Sequence, residues 1–547
     1  MSEQAALDQL ATDYWDAWLA QHPTFATAIG DRRFDALLED DSPEGRAAWR
    51  QTLGVLRTRL DGVDDGDPVT ATALRSSLAS DEAFLDADLP SFTVDPMDGI
   101  QVSLLNIPSF HAARNADEAE ALLARWRAMP GAIDVASEGL RRGAAEGRLP
   151  VAALCDKVVA QLDELLARPD DDWPLMDPAR ERPELADALL DVVATQIRPA
   201  YARYRAVVAD EIRPMARDND HPGLVHLAGG DAAYRALVRA QTTVDLSPEE
   251  LHRIGLGEIE RIDAEFVELG GRLLGTTDLA STLERLGGDP ALHFATREEI
   301  LAVAEASLAR ANAAIPDWFG RLPKAACEVV PMPPHEEKHS TIAYYRDPAH
   351  DGSRPGQYYV NTYAPETRPR YEAEALAFHE SVPGHHLQLA IMQELTELPA
   401  FRRFNGAMAY VEGWGLYCER LSVDMGLLST EMDRFGVLSF DAWRACRLVV
   451  DTGMHALGWT REQAIGFMAS HTALARTNIE NEIDRYIGWP AQAVAYKVGQ
   501  LELLRLRAEA RQRQGDRFDI RRFHDVVLGQ GALPLPALRE VVERELV

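Results

Sequence analysis

Leucine and alanine recur at three- and four-residue spacing through most of 1–90, 115–165, 185–215 and 495–512. That period gives a helix one apolar face. Start signals punctuate the pattern. In "DLSPEELHRIGLGEIERIDAEF", Ser247 is a helix N-cap, Pro248 takes the first helical position and Glu250 closes a capping box. Thr296 with Glu299, and Thr460 with Gln463, repeat the device. The pattern predicts a mainly α protein. Residues 327–363 interrupt it with five prolines and two runs rich in β-branched and aromatic residues, "STIAYY" and "QYYVNTY". These predict a small β-ribbon behind a proline-stiffened loop. It walls a substrate cleft or is a plain surface hairpin, and the sequence does not separate the two.

Directly after the ribbon stands "EALAFHESVPGHHLQLA", Glu374 to Ala390, with His379, Glu380, His385 and His386. A His-Glu pair followed by another His points to the helix-borne zinc site of metallopeptidases, H-E-x-x-H. The spacing fails, because position 383 is a proline. A literal match, "HEEKH" from His335 to His339, lies upstream. Its surroundings argue against a helix. "PMPP" precedes it, and a residue before proline is pushed out of the α region. "STIAYY" follows and favours strand. Glu336, Glu337 and Lys338 leave nothing apolar to bury, so this match is read as a solvated loop.

On a straight helix His385 would stand about 240° around from His379, and His386 about 10 Å further along. Two ligands of one zinc each lie only about 2 Å from it, so a regular helix can use neither. Pro383 lacks an N–H, and its ring meets the carbonyl of His379. Gly384 accepts backbone angles closed to other residues. Together they can bulge out two residues and return His385 to the four-residue register, with His386 turned to the cleft or to a supporting partner. The alternative is a simple break between two helices with surface histidines.

A zinc site of this type needs a third protein ligand and an open position. "AMAYVEGWGLYCERLSVDMG" offers Glu412 and Glu419, seven apart and so on one helix face. Glu412 is the expected ligand, and Glu419 the group that holds a ligand histidine from behind. Tyr410, Trp414 and Tyr417 between them argue that this face is buried. Further on, "NEIDRYIGWPAQAVAYKVG" gathers Glu482, Arg485, Tyr486, Trp489, Tyr496 and Lys497. A tyrosine hydroxyl or an arginine can stabilise the oxyanion of a tetrahedral intermediate. Asp451 and His455, four apart in "DTGMHALGW", are placed to pair, with His455 against substrate or behind a ligand. His471 and His524 are read as ordinary.

The motifs "HESVPGHHLQ", "YVEGWGLYCE", "LVVDTGMHALGW", "DRYIGWPAQAVAYKVG" and "RRFHDVVLGQGALPLPALRE" resemble the bacterial domain of unknown function 885. "DGSRPGQYYVNTY" and the N-terminal "HPTFATAIGDRRFD" extend the resemblance along the chain. It implies a mostly helical fold related to the M3-like zinc peptidases, with a deep channel. By analogy with that clan, Glu412 takes the ligand position, and Arg485-Tyr486 resembles the pair that angiotensin-converting-enzyme-like peptidases place by the oxyanion. The sequence departs from the pattern at Ala491, where glycine is expected, and at His471.

Charge and cysteines bear on partners and compartment. The formal net charge of −31, spread along 547 residues, repels nucleic acid phosphates and anionic lipid. Neither nucleic acid nor membrane is an expected partner. Cys155, Cys327, Cys418 and Cys446 lack C-x-x-C spacing, and no basic segment leads into an apolar one at the start. A cytoplasmic location with reduced thiols is the expectation. Length alone would allow three or four domains, yet no linker or fixed-period repeat divides the chain. One unit over 1–547 is expected, with an N-terminal helical half to 245 and a catalytic half from 246.

The expected function is zinc-dependent hydrolysis of a peptide or peptide-like substrate. His379, His385 and Glu412 would hold Zn2+, Glu380 would carry the proton, and Tyr486, Arg485 and His455 would stabilise the oxyanion. An amidase acting on a non-peptide amide uses the same chemistry. A non-catalytic metal-containing binding protein is a third reading, and the retained Glu380 speaks against it. A di-iron oxidase needs two Glu-x-x-His pairs on facing helices, and it is disfavoured because Glu336-x-x-His339 lies in the stretch read as a solvated loop.

Overall fold

A computed structural model describes residues 3–546 except 64–65, 334–336, 339–340, 350–351 and 353. Helices dominate, and the longest run over Ala116–Ala145, Pro248–Leu273, Gln492–Gln514 and Arg434–His455. The capping boxes at Ser247/Glu250 and Thr460/Gln463 are both formed. At Thr296 only half the device is present. Its side chain accepts from the Glu299 N–H, while the Glu299 carboxylate takes the Ala295 N–H instead. No helix among the described residues is long and apolar enough to cross a membrane.

Between the helices lies one three-stranded sheet where a two-stranded ribbon was expected. Its strands are β1 (Cys327–Pro331), β2 (Ala343–Arg346) and β3 (Gly356–Val360), in the order β1-β3-β2. The two tyrosine-rich strands β2 and β3 pair antiparallel, with Tyr344 stacked on Tyr359 at 4.7 Å. β1 adds to β3 in parallel, a pairing that needs a long crossover and so leaves no local sequence signal.

Two apolar cores form, and each draws residues from both 1–245 and 246–547. The motif helix Ala373–Glu380 sits between them: Ala375, Leu376 and Ala377 belong to one core, Phe378 and Val382 to the other. An amphipathic helix is read from its sequence, but Glu374 to His379 are buried on every side. Glu374 stays buried because Arg310 and Ser429 satisfy its carboxylate. The helix Arg434–His455 is likewise enclosed from Phe435 onward, although it carries Asp441, Arg444, Arg447 and Asp451. Buried charges persist only with partners. Asp441 has Lys497, Arg420 and Arg261.

Candidate metal centre

The chain does not bulge at Pro383-Gly384; it breaks. Ala373–Glu380 ends, Ser381–Gly384 turns with a cis Val382-Pro383 bond, and a second helix runs over His385–Glu394. The two-residue bulge in a continuous helix is thereby corrected. The break folds back so tightly that a Cβ on Gly384 would stand 1.9 Å from the His379 carbonyl oxygen. It is tied down from outside, since Trp414 Nε1 donates to the Pro383 carbonyl at 2.9 Å and Cys418 Sγ approaches the same oxygen at 3.3 Å.

The break brings the two imidazoles together. The rings of His379 and His385 lie 4.6 Å apart at 87°. Their Nε2 atoms stand 3.9 and 3.6 Å from Glu412 Oε2. One ligand atom from each residue fits within 4.8 Å of the others. Bonds of about 2 Å to one zinc put tetrahedral ligand atoms somewhat over 3 Å apart, so a small adjustment of rotamers closes the set. The side chains are 4%, 10% and 18% exposed respectively, with Glu412 the most open.

Glu419, two turns beyond Glu412 on the helix Met408–Asp424, meets His379 Nδ1 at 2.8 Å. With Nδ1–H donating there, the lone pair of His379 falls on Nε2, toward Glu412. Burial pushes the Glu419 carboxyl up to about 8, and the Arg444 guanidinium 3.7 Å away opposes that shift. Burial also tends to raise Glu412, but the adjacent His385 ring outweighs it and brings the carboxyl down to about 2. His379 is held well below its usual value by burial and by His385. Burial tends to lower His385, but the hydrogen bond and charge of Glu412 outweigh it and raise the ring. With that proton given up to an ion, two imidazole nitrogens and a carboxylate are the donor set that suits a borderline divalent ion.

His386, next to His385, points elsewhere. Its Nδ1 meets the Tyr345 hydroxyl at 2.9 Å and its Nε2 the Ala325 carbonyl at 3.1 Å. A Cβ on Gly356 would collide with that ring, so β3 presses directly on it. Glu380 is half-buried beside the triad. Burial, reinforced by Glu412, pushes its carboxyl up to about 7.

The residues expected at the oxyanion are placed differently. Tyr486 is fully buried; its hydroxyl donates to Glu482 and accepts from Arg447 Nε at 2.8 Å and Trp443 Nε1 at 3.2 Å. Arg485 is committed to Glu482 and Gln492. His455 does not pair with Asp451, which is occupied by the Tyr234 hydroxyl and the Ala491 N–H. Its Nδ1 accepts from the Leu224 N–H and its Nε2 meets the Tyr486 carbonyl, so both ring nitrogens serve the backbone. Tyr486, Arg485 and His455 are thus each engaged by hydrogen bonds within the protein, with Tyr486 and His455 held at every polar atom of their rings. His524 is equally satisfied, by Tyr417 and Trp318. In the literal "HEEKH", His335, Glu336 and His339 lie outside the described residues. Glu337 does not belong to a solvated loop; it is buried and doubly bonded to Arg297.

Several contributors were not legible as such. Arg447 exerts its charge on both Glu412 and His379, and Tyr496 feels the charge of Glu412. Two arginines three apart in the apolar run "WRACRLVV" were the available signal, since arginine is seldom buried without a reason. Gly415 was another. A Cβ there would lie 2.6 Å from the His379 ring, so only glycine lets this helix approach. Gly413 packs on Gly499 of the helix Gln492–Gln514 in the same way. Gly415→Ala is expected to fold and to lower metal affinity about 10- to 100-fold, the usual cost of displacing a ligand's support. Metal retention during dialysis against a weak chelator, alongside a melting curve, measures this; unchanged retention would detach His379 from the site.

Residues 23–542 match a family described as "Bacterial protein of unknown function (DUF885)". The chain belongs to the DUF885 family. No curated protein matches this DUF885 chain. Among solved structures, a "putative lipoprotein" from Colwellia psychrerythraea shares 27% identity over 99% of both chains, with a TM-score of 0.93. A "putative lipoprotein of unknown function" from Shewanella oneidensis shares 18% identity over 98% of this chain and 99% of its own. Its TM-score of 0.75 shows a common fold. Both descriptions name a class of protein held at a membrane by lipid, so the expectation of a cytoplasmic location is withdrawn. The αL backbone of Ala491 (φ 69°) explains why glycine is expected at that position in DUF885 chains.

Proposed function

We propose that the protein is a metal-dependent hydrolase of amide bonds, most consistent with a peptidase of the M3-like type. The observation that carries this reading is the convergence of His379 Nε2, His385 Nε2 and Glu412 Oε2, with Glu380 beside them and Glu419 behind His379. His379, His385 and Glu412 would hold the ion, and zinc matches their chemistry. When bound, zinc supplies Lewis acidity and makes water nucleophilic near neutral pH.

The chain's own residues supply the rest. Glu380 takes a proton from the attacking water and passes it to the leaving amine. Its carboxylate is the working form, so the rate falls as pH drops through the value at which Glu380 protonates. The charge of a bound cation moves that value below about 7. Tyr496 is the oxyanion donor in place of Tyr486. It is half-buried on the helix that packs against Glu412's, and its hydroxyl accepts from Gln492 Nε2 at 3.2 Å, leaving its proton for a substrate oxygen. Arg447 adds positive charge behind it, with its ring-facing guanidinium 4.5 Å from the Tyr496 centroid.

The reading is tested by incubating metal-loaded protein with a defined peptide mixture and identifying new termini by mass spectrometry. Cleavage that stops with chelator and returns with zinc is expected; intact peptides under every metal tried would sink the peptidase. With a cleaved peptide as substrate, Tyr496→Phe is expected to lower kcat about 100- to 1,000-fold. Tyr486→Phe should instead destabilise by about 1–3 kcal/mol, by leaving Glu482 and Arg447 short of a partner. The reverse pattern would restore Tyr486 to the site.

A further inference from the structure

A cavity lies apart from the triad. It has a volume of about 530 Å³, between the helices Glu3–Gln21 and Pro68–Ala87 and the segment 401–408. That is a size suited to a small organic ligand. None of His379, His385 and Glu412 lines it; Met408, one helical turn before Glu412, is the nearest along that helix. Its walls are aromatic, from Tyr14, Trp18, Trp49, Phe84 and Trp489, and Asp81 stands among them.

Asp81 is a carboxylate without a cation. Its Oδ2 accepts from the Tyr14 hydroxyl at 2.9 Å and its Oδ1 from Trp18 Nε1 at 3.3 Å, both neutral donors. A carboxylate has about four acceptor positions, so roughly two remain and the charge is unbalanced. Both arginines of the cavity are engaged elsewhere: Arg46 with Asp88 and the Leu85 carbonyl, Arg402 with Thr70 and Gln530. His22, tilted against Trp18 with ring centres 4.1 Å apart, is kept neutral by burial, which lowers it to about 4. Asp41 adds a second carboxylate to the lining.

We propose that this cavity binds a small organic cation, an amine on an apolar body, with Asp81 as its counter-ion and the surrounding aromatic side chains as its walls. Aromatic faces attract a cation within about 6 Å of the ring centre, and Asp81, half-buried with only neutral donors, is stabilised by a cation beside it. Consistent with this, burial pushes the empty Asp81 carboxyl up to about 7. The alternative is a carboxylate that only bridges Tyr14 and Trp18.

Calorimetric titration with 2-phenylethylamine and with its neutral counterpart 2-phenylethanol separates the two. The amine is expected to bind at least about tenfold more tightly to the wild type, and Asp81→Asn, which removes the charge and keeps one acceptor oxygen, should abolish the preference. Metal content should not change in that variant, because the site owes nothing to the triad. Equal affinity, absence of binding by either compound, or a preference surviving in Asp81→Asn would overturn the proposal. Should Asp81→Asn fail to fold, a crystal structure of the wild type with 2-phenylethylamine decides instead. The ammonium belongs within about 3 Å of the Asp81 carboxylate, and an ammonium seated elsewhere refutes the assignment.

Discussion

Glu380→Gln protein is expected to retain its metal and to hydrolyse about 100- to 10,000-fold more slowly than wild type, the usual contribution of a positioned acid–base group. The change is nearly isosteric, and Glu380 is not one of the three converging ligands, so the site should survive around it. What disappears is a carboxyl that burial pushes up and a bound cation pulls back down, the group that accepts the proton and returns it. Metal analysis and kinetics on the same preparation separate the two effects. A wild-type rate in this variant would remove Glu380 from the mechanism. Loss of metal would make it a ligand.

The second large effect contrasts two adjacent histidines. His385→Ala should release the metal, because it deletes an Nε2 that faces Glu412 Oε2 at 3.6 Å. His386→Ala should keep it, since that ring faces Tyr345 and the Ala325 carbonyl and contributes packing against β3. The expected cost of the latter is stability, about 1–3 kcal/mol for the hydrogen bonds left open. Equal retention in both variants, or retention only in His385→Ala, would contradict the arrangement.

Much of the fold was legible. The helical period and the caps at Ser247 and Thr460 mark real helices because they are local: each depends on residues within one or two turns. That the three proposed ligands come together was legible for a related reason. Chemistry-bearing residues in a stretch whose backbone departs from regularity leave few consistent arrangements, and His379, His385 and Glu412 do converge.

What was not legible depends on distant chain. A bulge and a break at Pro383-Gly384 have the same sequence; the outcome is decided by Trp414 and Cys418, which hold the Pro383 carbonyl from another helix. Tyr486 and Tyr496 are both tyrosines near an arginine. Only tertiary packing closes the first hydroxyl with Glu482, Arg447 and Trp443 and leaves the second beside Glu412. His455 was assigned to Asp451 on helical spacing, whereas the loop carrying Leu224 and the end of the helix Arg476–Gly488 supply its actual partners. The parallel β1–β3 pairing, across nearly thirty residues, has no local signature either. The arginines at 444 and 447 and the glycine at 415 were visible, but their purpose is set by what lies opposite them.

The central claim is that His379, His385 and Glu412 are metal ligands, and elemental analysis of protein purified without added metal tests it most directly. About one zinc per chain is expected, falling below about a tenth when Glu412 is replaced by Ala. Metal-free wild-type protein that neither takes up zinc from micromolar solution nor gains activity from it would contradict the claim.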